Sequence, residues 1–433
     1  MNRDWGLGTG DREESLGGAP GPAASYPQPP TPNPQRLPPA VYWVGATSLA
    51  NDFASEIIYP LLPAFVTRTL GGGALVLGIL DGVADAVAAL FKLFSGYLAE
   101  RPRLRGPMVV AGYAVATVVR PLIAMAGAAW HVIVLRAVDR IGKGVRTAPR
   151  DVMIADVAAP EIRGRAFGLH RAADHVGAIV GPLVAALLIA RGFTVRQVFW
   201  SAAVPGAVTV LLAWMAVRKV REQGGGSSTI GASSSAERKA PAEGTPSSSL
   251  LPIVIVLSVA TLLRAPETIL ILRTQDLGVA VTAIPLLWAA LHVVRSLASY
   301  PGGTLADRWG PRRTLAVGWT LYAALAFALA RATTESQAIA LFLAYGLVAA
   351  LTESPERKLV AQYAGSTKRG RGFGWYHGMT SAVALPGAAL FGWLYQSRGA
   401  ATAFGLSAAL TVLAVLFLGV TGARSPAGPG SIA

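Results

Sequence analysis

The chain has 433 residues, 53% hydrophobic and only 14% charged, against about 25% charged in an average soluble domain. That deficit excludes an ordinary soluble enzyme and points to an integral membrane protein. The net charge is +15, but the basic residues fall in short loops between apolar runs, so membrane topology accounts for them and nucleic-acid binding does not. No cysteine is present, hence no disulfide framework, thiol nucleophile or cysteine metal site.

Residues 1–38 are rich in Pro, Gly and Ser and lack the apolar core of a signal peptide, so they read as a disordered cytoplasmic tail. Twelve apolar segments follow, each near the roughly 20 residues that span a bilayer. They are 40–68, 74–100, 107–128, 130–150, 165–190, 195–218, 251–275, 280–306, 312–331, 335–361, 371–396 and 400–422. Residues 219–250, rich in Gly, Ser and Pro, form a flexible linker between the sixth and seventh. The expected fold is an all-α membrane protein of twelve transmembrane helices. It divides into an N-terminal six-helix bundle at 39–218, a C-terminal one at 251–422 and a tail at 423–433.

Loop charges predict the orientation. Arg101, Arg103, Arg105, Arg146, Arg150, Arg163, Arg165, Arg218, Lys219, Arg221, Arg238, Lys239, Arg308, Arg312, Arg313, Arg357, Lys358, Lys368, Arg369 and Arg371 fall on one side. Single arginines at Arg68, Arg191, Arg196, Arg273, Arg331 and Arg398 fall on the other. The positive-inside rule puts the first set, the linker and both termini in the cytoplasm of a cell with this protein in its inner or plasma membrane.

Charges at depth are the candidate working parts, because an ionisable group in hydrocarbon is costly. In the first segment Asp52 and Glu56 lie roughly 16 and 22 Å in from Val41, on one helix face. The second carries Asp81 and Asp85, with Lys92 two turns on. Acids crowded together do not all ionise at once, so one carboxyl is expected to load and release a proton. Permanent neutralisation by Arg136, Arg140 and Lys92 is the alternative. Asp52 and Asp85 are the first choices, within reach of Arg136 or Arg140. In the fourth segment Arg136 and Arg140 share a face, and Arg140 lies roughly 15 Å in from Trp130. Asp139 beside them is either part of that cavity or their structural partner. The second half keeps Arg264, Glu267, Arg295 and His377 and adds His292 and Glu353 to the cavity candidates, with a structural role for His292 the alternative; the fifth segment opens with His170, Asp174 and His175. The histidines lack a metal-ligand spacing, so no metal and no cofactor is expected. Trp288, Trp375, Tyr376 and Trp393 fit either an aromatic cavity or an interface belt.

The halves repeat each other. Arg163-Gly164-Arg165-Ala166-Phe167-Gly168 returns as Arg369-Gly370-Arg371-Gly372-Phe373-Gly374, and at the same offset Pro149 falls on Pro355 and Gly181 on Gly387. Between segments eight and nine stands Gly303-Thr-Leu-Ala-Asp307-Arg308-Trp-Gly310-Pro-Arg312-Arg313, echoed after segment two by Gly96-Tyr-Leu-Ala-Glu100-Arg101. This pattern resembles the signature loop of the major facilitator superfamily, as do the twelve spans, central linker and internal repeat. The resemblance covers nearly all of residues 40–422. It implies that Asp307 is a latch onto neighbouring helices, holding the outward-facing state. The first copy departs from the pattern, with Glu100 for Asp and Arg103 where glycine is expected. The resemblance also gives the arginine of segment four a proton-coupling role. Gly177-x3-Gly181-Pro182 resembles the family's antiporter motif; close helix packing by small residues is the plainer account.

No nucleotide-binding loop is present: Gly142-Lys143 lacks the Gly-x4-Gly-Lys-Ser/Thr frame. The expectation is a monomeric secondary transporter, not an enzyme, whose partners are a small-molecule substrate, protons and the bilayer, with no nucleic acid. Proton antiport, meaning export, is the expected direction. Proton-coupled import, a non-transporting sensor or a membrane-embedded enzyme are the alternatives. The substrate is not legible.

Overall fold

The computed structural model describes residues 36–62, 65–72, 74–225, 250–280 and 283–422. Nearly all of the expected tails at 1–38 and 423–433, and most of the 219–250 linker, lie outside them, as does the side chain of Asp81. The helices are α1 (Pro39–Glu56), α2 (Ala74–Leu98), α3 (Pro102–Leu122), α4 (Ala129–Val157), α5 (Arg163–Ala190), α6 (Val195–Ser201) and α7 (Ala203–Gly225). After the linker come α8 (Leu250–Leu263), α9 (Glu267–Asp276), α10 (Ile284–Arg308), α11 (Pro311–Arg331), α12 (Glu335–Ala364) and α13 (Arg369–Gly422). No strand occurs among the described residues. The sixth span is α6 with α7, the seventh α8 with α9, and the last two form α13, which is interrupted at Gly399, where φ is 82°.

Local chemistry explains the breaks. α1 stops at Glu56, short of the expected 68, because Pro60 has no N–H and disfavours helix at Tyr59. The seventh span breaks at the equivalent depth, before Pro266. Its freed groups are satisfied: the Ala265 N–H donates to Tyr322 Oη at 2.6 Å, and Ser407 Oγ donates to the Leu263 carbonyl at 2.6 Å. At the opposite chain ends, Thr194 with Gln197 and Thr334 with Gln337 form reciprocal caps that start α6 and α12. Among the described residues, seven helical stretches are long and apolar enough to cross a membrane by length and composition alone. α4 is not among them, since it carries Arg136, Asp139, Arg140, Lys143, Arg146, Arg150 and Asp151. It runs to Val157, seven residues past the expected 150, and its last turns, with Arg146, Asp151 and residues 152–155, are buried in protein.

The repeat is visible in the packing. α5 packs on α1 as α13 packs on α8, α4 joins α2 to α3 as α12 joins α10 to α11, and α5 meets α10 as α13 meets α2. Small residues make these approaches possible. A Cβ on Gly181 would lie 2.6 Å from Glu56 Cβ, and one on Gly387 would lie 2.9 Å from the Leu262 carbonyl. The apolar core has three main parts. One contains residues of both bundles, including Val41, Ala148, Phe167, Leu257, Trp319, Phe373 and Tyr376. A second lies wholly in the N-terminal bundle, around Ile57, Phe65, Ile123 and Phe199. The third lies wholly in the C-terminal bundle, around Leu270, Leu291, Phe342 and Phe404. The bundles therefore share a core at the end with the arginine-rich loops and have separate cores at the other.

Candidate functional site: a closed seam and unpaired acids

Two helix crossings close the arginine-rich end. In the first, Gly164 and Gly168 of α5 meet Gly303 of α10; a Cβ on Gly168 would lie 2.5 Å from the Ser299 carbonyl. Asp307 completes this crossing. Its Oδ1 accepts from the Gly164 N–H at 2.8 Å and its Oδ2 from the Arg165 N–H at 2.9 Å, at the start of α5. Lys358 Nζ donates to Oδ1 at 2.7 Å, and Arg165 Nε stands 3.4 Å from Oδ2. A helix start with free N–H groups is an anion site, and Asp307 fills it from the opposite bundle. The second crossing is the pseudo-symmetric copy. A Cβ on Gly374 of α13 would lie 2.8 Å from Gly96 Cα of α2, and one on Gly370 would lie 2.6 Å from the Glu100 nitrogen. There Glu100 accepts only from the exposed Arg371 side chain. Asp156 adds a clasp, 2.5 Å from both Arg105 and Arg369. The two repeated motifs meet between these crossings: Phe167 and Phe373 are fully buried with ring centroids 6.0 Å apart.

The remaining signature residues have separate tasks. Gly310 adopts φ 87°, which L side chains avoid, and so turns the chain into α11. Arg312 donates to Tyr363 Oη, while Arg308 and Arg313 are exposed. Arg101 is also exposed, preceding α3.

Above the crossings lies a belt of ion pairs between the bundles. Arg171 of α5 bridges Glu353 of α12 and Asp174, the latter at 2.6 Å. Asp151 of α4 accepts from His377 of α13 at 2.7 Å and stands 3.5 Å from Arg357 of α12. His175 and His292 face each other, Nδ1 to Nδ1, at 3.2 Å, and Ser296 Oγ donates to the Ala172 carbonyl at 3.0 Å. Lys92 Nζ donates to Ser381 Oγ at 2.8 Å. Asp85, Lys92 and Gly96 share one face of α2 by their spacing. Gly96 and Lys92 touch the other bundle, whereas Asp85, further toward the opposite end, is exposed. The seam thus ends near the level of Lys92 and His292.

Sequence reading placed Arg136 and Arg140 beside the acids of α1 and α2. The structure gives Arg136 another partner: Asp139 lies 3.4 Å away and is also bound by Arg120 Nε at 2.8 Å. Arg120 donates as well to the Asn51 carbonyl at 3.0 Å and to its Oδ1 at 3.1 Å, and Arg146 reaches Asn51 Oδ1 at 3.3 Å. Asp139 is therefore a structural tie among α1, α3 and α4, held by an arginine of the third span that the sequence reading passed over. A lone arginine in an apolar run was the available signal. Glu353 and His292, expected in the cavity, belong to the seam. Among the described residues, Asp52, Glu56 and Asp85 have no cation at ion-pair distance. Asp52 accepts from the Asn51 side chain at 2.8 Å. Gly177 and Gly181 press α5 against the backbone of α1 beside these two acids. Arg140 and Lys143 of α4 likewise form no ion pair there, and Lys143 is exposed. Among the described residues no cluster of three or more His, Asp or Glu suits a metal.

Two repeated helical bundles, joined by a shared core and ion pairs at one end and with separate cores at the other, define the architecture. The family model of the Major Facilitator Superfamily matches residues 44–265 and again 247–432. The chain belongs to that superfamily. It is 27% identical over 371 residues to an uncharacterised MFS-type transporter of Methanocaldococcus jannaschii, covering 84% of this chain and 90% of that one. A multidrug resistance protein, MdtH, of Yersinia pestis is 29% identical over 157 residues, 36% of this chain and 38% of its own. Among solved structures, the proton:xylose symporter XylE matches with a TM-score of 0.69 at 15% identity, covering 88% of this chain and 94% of that one. That likeness is one of fold.

Proposed function

We propose that the chain exports a small molecule in exchange for protons, and that Asp52, Glu56 and Asp85 include the proton carrier. Asp52 and Glu56 carry the assignment. They are half-buried acids at depth, next to the Gly177 and Gly181 packing stripe, and are unpaired where Asp139, Asp151, Asp174, Asp307, Glu353 and Glu356 each have a cation. A carboxyl without a fixed counter-charge is free to change protonation as the bundles move. The direction rests on the Gly177-x3-Gly181-Pro182 pattern and on the partial likeness to a multidrug resistance protein. The arginine-rich end is taken as cytoplasmic, which makes the described state outward-facing. The protein acts as a monomer.

A substrate screen in inverted vesicles, with and without a proton gradient, tests this. Gradient-dependent uptake of at least one compound is expected, lost in one of Asp52→Asn, Glu56→Gln or Asp85→Asn, with downhill exchange retained. Uptake indifferent to the gradient, or unchanged pH dependence in all three variants, contradicts it.

A further inference from the structure

We infer that the membrane-facing side of the α2–α13 crossing is a binding site for an anionic phospholipid, seated in the leaflet at the arginine-rich end. A cavity of about 210 Å³ opens there, lined by Leu93 and Tyr97 of α2 and by Arg371 and Trp375 of α13. Each pair is four residues apart, so each helix contributes one ladder. Tyr97 lies next to the end of α2, and Arg371 near the start of α13, which sets the cavity at headgroup depth. It continues the exposed stripe Val83, Leu90 and Phe94 on α2, the face turned to lipid. Acyl carbons fit against Leu93 and Trp375, while the phosphate fits Arg371.

The charge is what specifies the ligand. Arg371 has Glu100 as its partner, but that pair is exposed, with side chains 44% and 20% accessible. Arg101 and Lys368 stand exposed on the adjoining loops, and Arg103 in the first turn of α3. A lipid phosphate therefore meets an excess of positive charge and has one weakly held carboxylate to displace. The pseudo-symmetric crossing offers no such place. Its equivalents are Tyr300, Thr304, Arg165 and Leu169, and Arg165 lies against Asp307, whose side chain is 6% accessible. Because the cavity walls come from both bundles, a bound lipid stabilises the state in which they touch.

Native mass spectrometry of the purified full chain with phosphatidylglycerol or phosphatidylcholine tests the site. Wild-type protein should retain one phosphatidylglycerol at least fivefold more often than phosphatidylcholine. Arg371→Gln should erase that preference, Trp375→Ala should lower retention of both lipids, and Glu100→Gln, which spares the guanidinium, should keep or raise the preference. A thermal-shift series in mixed micelles should show stabilisation by phosphatidylglycerol in wild type and Glu100→Gln but not in Arg371→Gln. Equal retention of both lipids, retention unchanged in Arg371→Gln, or displacement by an equal concentration of inorganic phosphate would each overturn the proposal. None of these readouts depends on transport, so they stand apart from the export assignment.

Discussion

Asp307 and Glu100 occupy equivalent positions and differ in almost every contact. Asp307 receives two backbone N–H groups, a lysine and an arginine in a buried place. Replacing it by Asn leaves Lys358 buried without its counter-charge, at a cost of about 3–5 kcal/mol to the closed seam. Glu100→Gln loses one exposed pair, worth no more than about 1 kcal/mol. The expected result is slowed transport by Asp307→Asn in correctly inserted protein, and near wild-type transport by Glu100→Gln. Equal effects of the two would remove the latch account. Arg120 belongs to the same scale. Arg120→Leu leaves buried Asp139 with only Arg136, at 3.4 Å, and frees the Asn51 carbonyl, so stability should fall by about 3 kcal/mol, more than for Arg140→Leu, which has no ion pair to lose. A thermal melt in detergent checks the order. Residue identity at depth was legible in the sequence: Arg136, Asp139 and the acids of α1 stand out from apolar runs. Partnership was not. Arg120 and Asp139 are nineteen positions apart and meet only because α3 packs on α4.

The elements repay the sequence more directly. Twelve apolar runs gave the spans, and the two Arg-Gly-Arg-x-Phe-Gly stretches marked the places where helices of opposite bundles cross. Their glycines are needed because backbone lies against backbone there. A Cβ on Gly303 falls inside the Gly164 carbonyl, and one on Gly374 falls 2.8 Å from Gly96 Cα. Gly303→Ala and Gly374→Ala should each push the crossing apart, whereas Gly405→Ala in α13 has nothing within 4 Å to strike. Accessibility of a Ser299→Cys thiol, buried at the first crossing, to a water-soluble maleimide, several-fold higher in the first two backgrounds, is the expected reading. Equal labelling in all three would contradict it. Helix ends were less legible. α1 stopped early at Pro60 and α4 ran long, since burial of a charged turn depends on its neighbours and not on its own hydropathy.

At the level of the whole molecule, three cores and one-sided contacts describe a single state of a two-state device. The shared core, both glycine crossings, the ion-pair belt and the His175–His292 contact all lie toward the arginine-rich end. Substrate and direction depend on which side chains line the transport path and on the energy difference between states, neither of which leaves a pattern in one sequence. The most direct measurement uses the absence of cysteine. Spin labels at Arg101→Cys with Lys368→Cys report the closed end, and labels at Arg191→Cys with Arg398→Cys report the other. Two distance populations are expected at each end, with the short one at the first pair matched to the long one at the second. Asp307→Asn should move weight from that combination to its inverse. A single population at both pairs, or both distances lengthening together in Asp307→Asn, would contradict rocking of the bundles about this seam.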